Sequence, residues 1–327
     1  MGEFDLIERF FKTRFALKRD DLRLGIGDDC ALMTLAPDHQ LAISSDVMVE
    51  GTHFFPDVDP QTLGHKCLAV NLSDLAACGA QPKAFTLSLT LPSIDEAWLE
   101  AFSKGLYALA QLHGCALIGG DTTRGPLNIG ITVFGEVPKE QAMLRSGAQA
   151  GDDLYVSGNL GEARWALLGL MGKMTVPDAR LQAIRKRLET PTPRLELGLA
   201  LRGIASAAID LSDGLLGDLG HVLKASQKGA CLQVQEMMQS ALLSKDLSSL
   251  PKDEALTLML QGGDDYELLF SAPKSKAQAL KVLAQELKLP LTVIGQVTEN
   301  TGLELLGAEH LLDAQAFKSL ASFEHFG

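Results

Sequence analysis

The sequence has no excess of positive charge, no cysteine pair and no long apolar run, and each absence removes a class of function. Lys and Arg number 29 against 41 Asp and Glu, a formal net charge of −12. Nucleic acids and anionic membranes both require a basic face, so neither is expected as a partner. The five cysteines, Cys30, Cys67, Cys78, Cys115 and Cys231, are odd in number and never spaced as C-x-x-C. That argues against a disulfide framework and against structural zinc, and scattered thiols suit a reducing cytoplasm. The best apolar stretch, Leu106 to Ile118, is broken by Gln111, His113 and Gly114 and falls short of the roughly 18 residues a membrane span needs. The opening Met1-Gly2-Glu3-Phe4-Asp5 has no basic n-region or apolar h-region, and Leu6 stands where myristoylation needs Ser or Thr. A soluble cytoplasmic protein is expected.

The usual nucleotide and nucleophile motifs are also missing. There is no G-x-x-x-x-G-K-[ST], no H-R-D or D-F-G, and no G-x-S-x-G. Gly25-Ile26-Gly27 lacks the third glycine of a dinucleotide fingerprint and runs into Asp28-Asp29.

What is present describes a globular chain. Apolar residues make up 46% and charged residues 21%. At 327 residues the chain exceeds the roughly 250–300 residues at which single cores stop growing, so two domains are expected. The acid is uneven, with a net of −8 over residues 1–137 and −4 over 138–327. Leu6, Ile7, Phe10 and Phe11 recur at helical spacing. Helices are predicted over 62–78 and 97–113, and strands over 41–46, 85–91, 115–118 and 128–137. Gly119-Gly120-Asp121 reads as a tight turn. The aperiodic 138–150 stretch reads as a linker, followed by strands over 153–157, 207–210, 230–234 and 291–297. Helices there are predicted over 161–171, 179–188, 194–205, 215–225 and 276–287. The mixture predicts an α/β or mixed α+β protein with domains at 1–137 and 151–327.

Six segments place Asp beside Gly or Ser next to an apolar run. They are Gly27-Asp28-Asp29, Ser44-Ser45-Asp46, Asn71-Leu72-Ser73-Asp74, Gly119-Gly120-Asp121, Asp210-Leu211-Ser212-Asp213-Gly214 and Gly262-Gly263-Asp264-Asp265. Any one alone reads as a turn or a helix cap. Six together suggest more, because strand ends are where α/β folds place sites. Carboxylates without paired His or Cys suit hard divalent cations, and Mg²⁺ is commonly held by a few carboxylates plus substrate phosphates. An acidic protein that binds an anionic nucleotide needs such a bridge. The residues thus point to a multi-magnesium phosphoryl-transfer site, with several Mg²⁺ ions.

Taken in order, the segments resemble the thiamine-monophosphate kinase family, in the superfamily of aminoimidazole ribonucleotide synthetase and selenide water dikinase. The carrying motifs are Gly25-Ile26-Gly27-Asp28-Asp29-Cys30-Ala31, Val70-Asn71-Leu72-Ser73-Asp74-Leu75-Ala76-Ala77 and Ile118-Gly119-Gly120-Asp121-Thr122-Thr123. Ile209-Asp210-Leu211-Ser212-Asp213-Gly214-Leu215 and Gly262-Gly263-Asp264-Asp265-Tyr266-Glu267-Leu268 complete them. The resemblance implies the two-domain fold of that superfamily and transfer of the ATP γ-phosphoryl group to thiamine monophosphate. It implies magnesium ligands at Asp29, Ser44, Ser45, Asp46, Asp74, Asp121, Asp210 and Asp213, and ATP contacts at Gly120, Asp121, Arg145 and Ser212. Substrate contacts are implied at His53, Asp264 and Phe323. The family's pattern usually has Glu at the position of Asp264, and often Tyr or Trp at that of Phe323. It further implies a homodimer formed through sheets of the first domain. A phosphate monoester acceptor, with a second pKa of about 6, is mostly dianionic at pH 7, so no general base is expected. The readings left open are an enzyme of the same superfamily with another acceptor, and a non-catalytic metal-binding protein.

Overall fold

Strands and helices alternate along the chain because β-branched and hydroxyl-rich runs are separated by leucine-spaced helical ones. A computed structural model describes residues 2–15 and 19–311. The chain divides into two units, with breaks after Leu75, Gly79 and Ala142.

The first unit opens with helix α1 (Glu3–Leu6), which continues as a π-helical turn over Ile7–Lys12. Strands β1 (Leu22–Leu24) and β2 (Leu32–Met33) form a short antiparallel hairpin. Then come β3 (His39–Val49), α2 (Pro60–Cys78), β4 (Gln81–Leu91), α3 (Glu96–Leu112), β5 (Ala116–Arg124) and β6 (Asn128–Pro138). The sheet order is β3-β6-β4-β5, antiparallel except for the β4–β5 pair. In β4, Phe85, Leu87, Leu89 and Leu91 are buried, whereas Thr86, Ser88 and Thr90 alternate with them on the less buried face. On edge strand β3, Leu41, Ile43 and Val47 are exposed. The hairpin covers part of that face, where Leu22, Ala31 and Met33, together with Phe134, pack on Ala84, Ala116 and Ile118.

The predicted turn at Gly119-Gly120-Asp121 is instead the middle of β5. The glycine serves close approach, since a Cβ at Gly120 (φ +146°) would lie 1.8 Å from the Leu87 carbonyl oxygen of β4. The strand predicted to finish at Asp46 runs on to Val49.

The second unit comprises β7 (Asp153–Ser157), α4 (Glu162–Leu170), α5 (Asp178–Glu189), α6 (Leu195–Ala200), β8 (Ala207–Asp210), α7 (Leu215–Ser226) and β9 (Gly229–Gln233). It continues with α8 (Val234–Met237), α9 (Lys252–Gln261), β10 (Leu268–Ala272), α10 (Ala277–Glu286), β11 (Leu291–Thr298) and β12 (Gly302–Leu306). Its sheet runs β12-β9-β11-β7-β10-β8, antiparallel except for the β12–β9 pair. Trp165 of α4, Leu154 and Val156 of β7, Ile209 of β8, Leu219 of α7 and Leu269 of β10 belong to its core. Strands β10 and β12 and helix α9 have no counterpart in the periodicity reading; β10 is buried along its whole length, so it shows no alternation. Among the described residues, no helix is long and apolar enough to cross a membrane.

Helices α2 and α3 touch backbone to backbone. A Cβ at Gly105 would fall 1.8 Å from the Gln61 carbonyl oxygen, and one at Gly64 would fall 2.1 Å from that of Phe102. Gly105→Ala is therefore expected to cost at least about 2 kcal/mol in urea unfolding. Gly220→Ala, with nothing within 4 Å of the added methyl, is expected to gain about 0.5–1 kcal/mol from helix propensity. A Gly105→Ala protein as stable as the parent would disprove the close contact.

Candidate functional site

In the first unit, β3 and α2 set the carboxylates. Ser44 and Asp46 lie two residues apart on one face of β3, and Asn71 and Asp74 lie three apart on one face of α2. The Ser44 hydroxyl donates to Asp74 Oδ2 at 2.5 Å. Asn71 Oδ1 accepts the Asp46 N–H at 3.1 Å, while its Nδ2 donates to the Cys67 carbonyl at 3.0 Å. Burial, and then the negative charge of Asp74, push the Asp46 carboxyl up to about 6. Two carboxylates and a hydroxyl thus meet at a strand–helix junction, all oxygen donors.

Strand alternation separates the other predicted ligands. Ser45 faces the opposite way from Ser44, and its hydroxyl pairs with Thr132 Oγ1 at 2.9 Å. Asp121 lies level with Ser88, Gly130 and Val47 across the sheet, whereas Asp46 lies level with Ile131, Leu87 and Gly120. By that register Asp121 shares the face of Ser45, not that of Asp46. Asp29 is exposed in the β1–β2 connection, where its N–H is accepted by Asp28 Oδ1 at 2.8 Å. Among the described residues no group of three or more His, Cys, Asp or Glu is arranged to hold a metal ion. At His53, Nδ1 accepts the Val49 N–H at 3.0 Å, which leaves the proton of the neutral ring on Nε2.

In the second unit, Asp210 ends β8 and is buried, and the chain then turns through Ser212, Asp213 and Gly214 (φ +109°). Asp218, one turn into α7, accepts the N–H groups of both Ser212 and Asp213 through Oδ2 at 3.1 Å. Burial pushes its carboxyl up to about 7, against the lowering effect of those amides. The second segment, 262–266, lies against this turn. Asp264 N–H donates to the Ser212 carbonyl at 2.9 Å, and the Tyr266 hydroxyl lies 3.4 Å from Asp264 Oδ1. Arg145 is exposed. Phe323 lies outside the described residues.

Asn71 and Asp218 are residues that sequence reasoning missed. Asn71 stood inside a quoted motif, three residues from Asp74, and that helical spacing was the available signal. Asp218 carried none, because its role rests on a turn folding back over the helix start.

The family model of AIR synthase related protein, N-terminal domain, matches residues 27–137, and that of the C-terminal domain matches residues 149–307. The thiamine-monophosphate kinase of Escherichia coli (strain K12) is 48% identical over 298 residues, covering 91% of this chain and 90% of its own. The crystal structure of thiamine-monophosphate kinase from Stenotrophomonas maltophilia K279a matches at 46% identity with a TM-score of 0.85, covering 94% of this chain and 97% of that one. A structure described as AaThiL complexed with AMPPCP and TMP matches at 28% identity and a TM-score of 0.74, covering 94% of both chains.

Asp218→Ala leaves two loop amides without their acceptor. It is expected to cost about 1–3 kcal/mol in urea unfolding, and Asp218→Asn, which keeps a carbonyl oxygen, less than that. An unchanged unfolding midpoint in Asp218→Ala would show that the carboxylate does not hold the turn.

Proposed function

The chain belongs to the thiamine-monophosphate kinase family of AIR synthase related proteins, and from that premise we propose that it transfers the γ-phosphoryl group of ATP to thiamine monophosphate. The products are thiamine diphosphate and ADP. Besides the family membership, the observation that carries the reading is the Ser44–Asp46–Asp74 arrangement. It gathers oxygen donors and negative charge where a hard cation is wanted.

That donor set fits magnesium. The residues proposed as magnesium ligands are Ser44, Asp46 and Asp74 at one face of the first sheet, Ser45 and Asp121 on its other face, Asp29 in the β1–β2 connection and, in the second unit, Asp210 and Asp213. The chemistry that bound magnesium supplies is neutralisation of phosphate charge and alignment of the two phosphates. Gly120, Asp121, Arg145 and Ser212 are the proposed ATP contacts. An arginine can grip phosphate in two-pronged fashion, and a glycine lets phosphate approach the backbone.

The acceptor is a phosphate monoester with a second pKa of about 6, mostly dianionic at pH 7. No side chain has to remove a proton from it, which agrees with a site rich in carboxylates. Direct in-line transfer without a phospho-enzyme follows, with positioning and electrostatics supplying most of the rate. His53 is a proposed contact to the acceptor. Asp264 offers a negative charge to the positive thiazolium, and Phe323 an aromatic face. We assign residues 1–137 to ATP and magnesium binding and to dimerisation, 138–150 to a linker, and 151–327 to the second domain. The exposed Leu41, Ile43 and Val47 on edge strand β3 support a homodimer through this sheet. The cysteines, all free among the described residues, suit the cytoplasm.

The test is a coupled ADP-release assay with ATP and Mg²⁺, comparing thiamine monophosphate with thiamine and weighing the product by mass spectrometry. ADP formed only with the monophosphate, alongside thiamine diphosphate, is expected. A folded protein that binds Mg²⁺–ATP without turnover would redirect the search to another acceptor. Asp121→Ala is expected to abolish turnover in a folded protein. Activity within about tenfold of the parent, only ~1.4 kcal/mol of barrier, would remove Asp121 from the site.

A further inference from the structure

Glu267, at the entry to β10, is fully buried. A buried carboxylate is costly unless it is paired and hydrogen-bonded. Here it meets four donors. Arg194 grips it with Nε to Oε2 at 2.6 Å and Nη2 to Oε1 at 2.5 Å. Arg187 Nη2 donates to Oε1 at 2.9 Å, and the Ser157 hydroxyl donates to Oε2 at 2.6 Å. The same Ser157 oxygen accepts the Leu268 N–H at 2.9 Å. Gly158 leaves the room this requires, because a Cβ there (φ +62°) would lie 2.2 Å from Oε1. Strand β7, helix α5 and the 190–194 connection therefore converge on one carboxylate, and the proposed reaction uses none of these side chains.

The backbone around Glu267 is zipped to the other motif of this unit. The Glu267 carbonyl accepts the Leu211 N–H at 2.9 Å, the Leu211 carbonyl accepts the Tyr266 N–H at 2.8 Å, and the Ser212 carbonyl accepts the Asp264 N–H at 2.9 Å. Gly263 is pressed so close that a Cβ would lie 2.5 Å from the Ser212 carbonyl oxygen. Asp264 (φ +66°) and Tyr266 (φ +51°) both sit in the left-handed region, which side chains disfavour. Strained residues of this kind persist only where the surroundings over-determine them. The surroundings here are the interlocked 211–212 segment on one side and the held Glu267 on the other.

We propose that Glu267, gripped by Arg194, Arg187 and Ser157, is the positioning residue that fixes the 211–214 and 262–266 segments in one arrangement. A side chain that touches neither substrate thereby sets the affinity for both. The inference rests on the ATP and acceptor contacts assigned above to Ser212 and Asp264.

Two variants test it. Arg194→Lys keeps the charge and loses the two-pronged grip, and Glu267→Gln keeps the volume and loses the charge. For each, kcat and the KM for both ATP and thiamine monophosphate are measured below the thermal midpoint, with circular dichroism to establish folding. Both KM values are expected to rise by at least about threefold in each folded variant. A merely structural role would lower the midpoint and leave both KM values alone. Smaller changes than about threefold in both, or a change in only one, would overturn the proposal. Arg194→Lys decides alone if Glu267→Gln does not fold. If the parent makes no thiamine diphosphate, the functional reading fails separately, and the clamp is then read by hydrogen exchange of the ligand-free protein. Faster exchange over 211–214 and 262–267 in Arg194→Lys supports it, and unchanged exchange overturns it.

Discussion

Carboxylates repel one another, and the way each unit manages that repulsion sets what its acids can do. In the first unit burial, and then the charge of the nearby Asp74, raise the Asp46 carboxyl to about 6. The groups seen to hold them are a serine hydroxyl and the main-chain N–H that Asn71 captures. These contacts fix where the two carboxylates sit on β3 and α2.

The second unit treats its acids differently. Glu267 is neutralised outright by Arg194 and Arg187, Asp265 accepts the Gly161 N–H through both oxygens, and Asp218 takes two loop amides. Burial raises the Asp265 carboxyl well above its ordinary range. These acids shape turns, and the turns present Asp210, Ser212, Asp213 and Asp264.

Alternation along β3 adds a geometric consequence. Ser44 and Asp46 face α2, whereas Ser45 faces the side of the sheet on which Thr132, Ser88 and Asp121 lie. That side also bears the exposed Ile43 and Val47. The predicted ligand run Ser44-Ser45-Asp46 is therefore not one surface. It is read on two faces of a sheet, as the period of two in any strand requires.

Much was legible in the sequence. The alternating mixture of strands and helices, the acid-rich motifs and the implied chemistry of oxygen ligands follow from residue type and spacing, which are local properties. The strict alternation of Phe85 to Leu91 and the leucine spacing of α2 gave their elements directly. Three things were decided only by tertiary structure. Gly119-Gly120-Asp121 looks like a turn until β4 is seen pressed against it, because Gly120 answers to a neighbouring strand. Strand β10 is buried on both faces, so it carried no alternation to detect. The Glu267 clamp joins residues 73 to 110 positions apart in sequence, and no local pattern records which arginine a buried carboxylate will meet. Sequence specifies which groups are present and how they repeat. Which of them converge depends on chain segments brought together by burial of apolar surface, and that information is distributed over the whole chain.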